Sequence, residues 1–305
     1  MTLQEFSIKQ RVPRKRLLLK GRVSWRQGYF DFYEKKRLSS LTDVKFIRDD
    51  TLLVAHRAAA RLYLVDISQT NHRIISELEI ADPGSKRGFL HPDLMTMHRD
   101  SIYISSFTDR VAKVRIHGNQ LILEEVKSLS ADRYHGCYAD QETLLLGPIH
   151  TDQIPCIDYT SGKTEYLTYN NFGERRIKTL GRHEELYVTG QDIKWHKGET
   201  GYSYFSLYER AANALLLLDE ASFIHTQTDG HVYVRDKGVH LITLQDGADN
   251  CGYIVSFGVE NRKLKLIRKT KVADFPHGID VCGDRVAYTL YSTSSVVLAP
   301  LTDFT

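Results

Sequence analysis

Short apolar strands recur along this chain, each set off from the next by a polar turn, in segments centred on Leu52, Ile102, Leu144, Leu186, Val232 and Val286. Their spacing is irregular but stays at roughly forty to fifty residues, the period of β-propeller blades. Within each repeat an apolar strand leads to a polar turn, a second apolar strand, a small or polar stretch and a third strand. The first repeat reads VKFIRDDTLLVAHRAAARLYLVDI, the fifth FIHTQTDGHVYVRDKGVHLITL and the sixth HGIDVCGDRVAYTLYSTSSVVLAPL. Asp49-Asp50, Arg99-Asp100, Asp229-Gly230 and Gly283-Asp284 stand where hairpin turns are needed. A blade cannot bury both of its faces alone, so the repeats must stack around an axis. The expectation is an all-β fold, a six-bladed β-propeller forming one domain over residues 1–305. Its sixth repeat ends one strand short, and residues 16–22, RLLLKGR, are expected to complete it and remove an exposed edge. Residues 1–15 are expected to form a flexible basic arm.

Composition narrows the class without naming a chemistry. The chain is 42% apolar and 26% charged with a formal charge of +3, so its overall field favours no particular partner. Seventeen Tyr and twelve Phe suit half-buried pleated surfaces. The first sixteen residues, MTLQEFSIKQRVPRKR, lack the apolar core of a signal peptide, and the four cysteines show no C-x-x-C pair. A cytoplasmic location is therefore expected. No apolar run approaches the roughly twenty residues of a membrane-spanning helix, so no membrane role is expected. The basic residues between Lys9 and Arg22 have no interleaved aromatics, which argues against nucleic acid as a partner.

Candidate chemistry follows from register. The innermost strands of a propeller begin near one mouth of its central channel, so residues at their starts converge. Counting back nine positions from the six strand markers gives Asp43, Asp93, His135, Ile177, Phe223 and His277. His91, Arg176 and His225 are close neighbours. His135-Gly136 and His277-Gly278 repeat one dipeptide in one register, and glycine permits close backbone approach. Neutral imidazoles with a carboxylate are the ligand set of Zn²⁺, Fe²⁺ or Mn²⁺ with an open position. His135, His277 and His225 are thus the expected metal ligands and His91 or His225 the proton-transfer group. Asp43, Asp93 and Arg176 are expected to bind substrate. Asp and His are also common turn and capping groups, which is the plain alternative. Cys137 and Cys282 read as small buried hydrophobes.

The stretch FPHGIDVCGDRVAYTLYSTSSVVLAPL (275–301) resembles the repeat of NHL-type six-bladed propellers. Among enzymes on that scaffold the chain resembles virginiamycin B lyase and peptidyl-hydroxyglycine amidating lyase. That resemblance implies an axial divalent metal with His nearby, and only His135 and His277 sit in a matching dipeptide. Gluconolactonase-like propellers carry an acidic ligand near the first blade that has no clear counterpart here. The expected function is a metal-assisted lyase or hydrolase step on a small organic substrate. The alternative is a non-catalytic scaffold for a protein partner, with the insertion GQDIKWHKGETGYSYF and its Trp195 and His196 as contact.

Overall fold

The computed structural model describes residues 4–8, 40–69, 72–85, 88–106, 108–129, 132–169, 175–193, 201–246, 251–273 and 275–305. Among them there is no α-helix, and no helix long and apolar enough to cross a membrane. The strands form runs of four antiparallel neighbours in chain order. The first run is β2 (Leu41–Arg48), β3 (Thr51–His56), β4 (Arg61–Asp66) and β5 (Arg73–Glu79). The second is β6 (Met95–His98), β7 (Ser101–Ser105), β8 (Arg110–His117) and β9 (Gln120–Ser128). The third is β10 (Tyr134–Ala139), β11 (Thr143–Pro148), β12 (Gln153–Asp158) and β13 (Thr164–Tyr169). A fourth is β14 (Arg175–His183), β15 (Leu186–Ile193), β16 (Tyr202–Ala211) and β17 (Ala214–Ile224). A fifth is β18 (Thr226–Val234), β19 (Val239–Asp246), β20 (Cys251–Glu260) and β21 (Lys263–Val272). The last is β22 (Pro276–Cys282), β23 (Arg285–Leu290) and β24 (Ser295–Pro300), completed by β1 (Gln4–Ser7). The third and fourth runs are joined into one eight-stranded sheet by parallel pairing of β13 with β17.

Burial explains why the second strands read as continuous apolar runs. Leu52 and Val54 of β3 face a core shared with Ala287, Val296 and Leu298 of the last run, while Leu53 and Ala55 face one shared with Met95, Ile102 and Ile104 of the second. The remaining cores lie likewise between consecutive runs. A strand buried on both faces has no polar side to alternate with. Outer strands such as β21 are largely exposed and carry the charge instead. First strands pack side by side in chain order from β2 to β22, and β22 packs back on β2.

Two expectations need correction. The edge beside β24 is taken by Gln4–Ser7, paired with residues 295–298, so part of the segment expected to be a flexible arm is a strand. Residues 16–22, expected at that edge, lie outside the described residues, as do Trp195 and His196. Asp229-Gly230 is not a hairpin turn: it lies inside β18, and the turn falls at residues 235–238, which end on Gly238 at a φ of 63°. Asp-Gly suits a hairpin turn and a bulge alike, since both need glycine's freedom. Val232 consequently sits on the first strand of its run, not the second.

Candidate functional site

Each first strand except β6 carries an irregularity near its start. The ladder slips between Leu41 and Asp43 in β2, Tyr134 and Cys137 in β10, Ile177 and Thr179 in β14, Thr228 and His231 in β18, and Pro276 and Ile279 in β22. The residues inside these bulges are Thr42, His135-Gly136, Lys178, Asp229-Gly230 and His277-Gly278. A bulge re-aims a side chain that regular pleating would turn into the sheet interface. The glycines let neighbouring strands close up. A Cβ on Gly136 would lie 2.9 Å from the Lys178 carbonyl oxygen, and one on Gly278 or Gly230 would collide with Asp43 or the His277 carbonyl.

Hydroxyl bridges hold these bulges together. Thr243 accepts the Gly230 amide at 2.8 Å and donates to the His277 carbonyl at 2.7 Å. Thr289 accepts the Gly278 amide at 2.8 Å. Ser105 donates to the His135 carbonyl, and Thr42 to the Pro92 carbonyl at 3.1 Å. The bonds donated by Thr243, Ser105 and Thr42 each tie one run to the next, while the two accepted from Gly230 and Gly278 brace the bulge within its own run.

Asp93, just ahead of β6, and Asp229 each meet His135 and His277 at the centre, and Lys178 meets Asp229, all of them buried. His135 Nε2 lies 3.3 Å from Asp93 Oδ2 and 3.4 Å from Asp229 Oδ1. His277 Nε2 lies 3.9 Å from Asp93 Oδ1 and 3.6 Å from Asp229 Oδ1. Both imidazoles are oriented from behind: His135 Nδ1 donates to the Lys178 carbonyl at 2.9 Å and His277 Nδ1 to that of Thr42 at 2.6 Å. In the neutral rings the Nε2 lone pairs therefore face the carboxylates. Burial holds His135 well below its ordinary pKa, and the Lys178 ammonium adds to this. Burial resists ionisation of Asp229, but the Lys178 ammonium, at 2.7 Å, outweighs it and leads the interactions that bring its pKa down to about 2.

This donor set fits a cation. Asp93 is fully buried, yet neither of its oxygens accepts a hydrogen bond; the nearest guanidinium nitrogen, of Arg57, is 3.6 Å away. Lone pairs facing a carboxylate repel unless a positive charge lies between them. Ligands held about 2.0–2.1 Å from a tetrahedral ion stand about 3.3–3.4 Å from one another, close to the His135 separations. Asp93, His135 and His277 offer ligand atoms all within 4.8 Å of one another. Imidazoles whose second nitrogen donates to a backbone carbonyl are the usual form of a metal-binding histidine.

Other predicted residues lie elsewhere. His225 is exposed in the β17–β18 connection at a φ of 61°, with its amide on the Gly201 carbonyl, so it does not join the centre. The misplaced turn in the fifth repeat put it there; Asp229 holds the equivalent position. Phe223 packs against Phe257, and Ile177 is core. His91 is half-buried and donates from Nδ1 to the Arg57 carbonyl at 2.8 Å, outside the converging group. Asp43 accepts from the Val44 and Met95 amides and from Lys45, which pins β2 to β6. Arg176 is spent on Asp192, 2.8 Å from its Nε. Burial pushes the Cys137 thiol up to about 12, as suits a buried hydrophobe. Lys178, Asp192 and Asp229 escaped the sequence reading. The one available signal was the Asp-Gly dipeptide itself, an acidic counterpart of the two His-Gly pairs, whose shared register emerges only with β18 running through it.

No family model matches this chain, and no curated protein matches it. Solved structures do. U3-55K superposes with a TM-score of 0.57 at 11% identity, over 86% of this chain and 95% of that one. The β-propeller domain of Myceliophteria thermophila Swd1 gives 0.52 at 12% identity, over 85% and 82%. The periplasmic gluconolactonase of Pseudomonas aeruginosa gives 0.54 at 14% identity, over 85% and 80%. At such identities the likeness shows the fold alone, a β-propeller.

Proposed function

We propose that this chain is a six-bladed β-propeller of the NHL type, closed by its N-terminal strand, that binds a divalent cation, Zn²⁺, Fe²⁺ or Mn²⁺, on its axis. The blade count rests on the six cores between consecutive runs and on the packing of β22 against β2. One observation carries the cation: two imidazole Nε2 atoms, each fixed from behind, converge on a buried carboxylate that accepts no hydrogen bond. His135, His277 and Asp93 hold the ion, and Asp229 faces the same two nitrogens. A bound cation of this kind supplies Lewis acidity toward an oxygen-bearing group. The activity that follows is a lyase or hydrolase step on a small organic substrate, in the cytoplasm. His91 and His225 lie outside the group, so the proposal gives neither of them the proton transfer.

Burial favours a second reading. His135, Asp93, Asp229 and His277 are each at most 4% exposed. An ion so enclosed would tie the first strands together as a structural staple, with the propeller serving as a scaffold for a protein partner.

Elemental analysis of untagged wild type and His277→Ala tests the site. Near-stoichiometric Zn, Fe or Mn in the wild type, lost in the variant, is expected. A folded, metal-free wild type that ignores added divalent ions would sink the proposal. Turnover that survives metal removal would retain the fold and discard the chemistry.

A further inference from the structure

Lys178 stands between two carboxylates that are unequally provided for. Its Nζ is 2.7 Å from Asp229 Oδ1 and 4.0 Å from Asp192 Oδ2. Asp192, on β15, is fully buried. Its Oδ1 accepts from Arg176 Nε at 2.8 Å, while its Oδ2 accepts no hydrogen bond. A buried carboxylate oxygen without a hydrogen bond is costly, and here it stands within reach of an ammonium on a flexible four-carbon stem.

The ammonium and a divalent cation cannot share Asp229 comfortably. Both are positive and both are drawn to a carboxylate oxygen that lies 3.4 and 3.6 Å from the two ring nitrogens. Resting on the cation reading of the same centre, we infer that Lys178 is the resident countercharge of Asp229 in the ion-free protein, and that it crosses to Asp192 Oδ2 when a divalent ion binds. Closing 4.0 Å to the about 2.8 Å of a charge-assisted hydrogen bond needs little more than a rotamer adjustment. Asp192 is then a positioning residue: it sets the affinity of an ion it does not touch, by receiving the ammonium that the ion displaces. Arg176 remains on the other oxygen and keeps the acceptor aimed.

The test is calorimetric titration of metal-stripped, untagged protein with Mn²⁺, using wild type, Lys178→Met, Asp192→Asn, the double variant and His277→Ala. Lys178→Met removes the competitor and should tighten binding about tenfold; Asp192→Asn removes the receiving oxygen and should weaken it about tenfold. In the Lys178→Met background, Asp192→Asn should have no effect, because no ammonium needs a place. Asp192 acting only as a structural support would weaken binding equally in both backgrounds. That additive result, or binding no tighter in Lys178→Met, overturns the inference while leaving the cation reading intact. No Mn²⁺ binding by the wild type, or unchanged binding in His277→Ala, overturns the cation reading and the inference with it. A crystal structure with Mn²⁺ bound should place Nζ on Asp192; Nζ still on Asp229 also overturns the inference.

Discussion

Thr243→Val should damage both the fold and the centre. The Thr243 side chain is fully buried, and its hydroxyl bridges the Gly230 amide, at 2.8 Å, to the His277 carbonyl, at 2.7 Å. Valine has nearly the same shape, so the substitution opens no cavity and the effect isolates the hydroxyl. Two buried backbone groups lose their partner, each at about 1–3 kcal/mol, and partial relaxation of the bulges brings the expected loss to about 2–4 kcal/mol. Asp229 and His277 are carried on the two backbones the hydroxyl joins, so divalent-ion binding should weaken as well. Urea unfolding followed by circular dichroism measures the first effect, with Thr243→Ser as control. Serine keeps the bridge and should cost about 1 kcal/mol for its missing methyl. A valine variant within about 0.5 kcal/mol of wild type, or no more destabilised than the serine variant, would show that the bridge does not hold the bulges.

Three further outcomes are expected. Gly136→Ala sets a Cβ 2.9 Å from the Lys178 carbonyl oxygen that anchors His135, so it should cost about 1–3 kcal/mol and weaken Mn²⁺ binding; unchanged melting and an unchanged titration would contradict this. Burial brings His231 down to about 4 and the hydrogen-bonded His240 to about 2, so the unfolded chain takes up protons that the folded one refuses. Stability should accordingly fall as pH drops below 6.5, and His240→Phe should flatten the urea midpoint between pH 6.5 and about 4. Burial pushes the Asp280 carboxyl up to about 6 against the pull of Lys45, so its contribution is lost as pH rises from 3.8 through about 6. Asp280→Asn keeps an acceptor for the Phe46 amide, 2.7 Å away, and should gain stability relative to wild type above that pH; an equal difference at pH 5 and pH 8 would refute the assignment.

Much of this protein is written locally. A strand packed on both faces needs apolar residues without alternation, and a hairpin needs turn residues at one place. Leu52, Ile102, Leu144, Leu186 and Val286 were therefore readable as second strands, and Asp49-Asp50, Arg99-Asp100 and Gly283-Asp284 as turns. His135 and His277 were legible for a related reason: each needs a glycine beside it where two first strands nearly touch, and that requirement prints the same dipeptide twice. Asp229-Gly230 meets the same requirement but spells a turn equally well. Only the pairing of β18 with β19 decided between them, and His225 was misplaced as a result. Lys178 sits between Ile177 and Thr179 with no mark in the sequence, and Asp192 lies on the second strand of its run, at the start of a segment whose sequence reads as an insertion. Their partnership with Asp229 exists because β14, β15 and β18 pack together at the axis. Local sequence fixes backbone preference and burial, which are properties of neighbours along the chain. The meeting of charges from different blades depends on how sheets close around an axis, and that is settled only when the whole ring is packed.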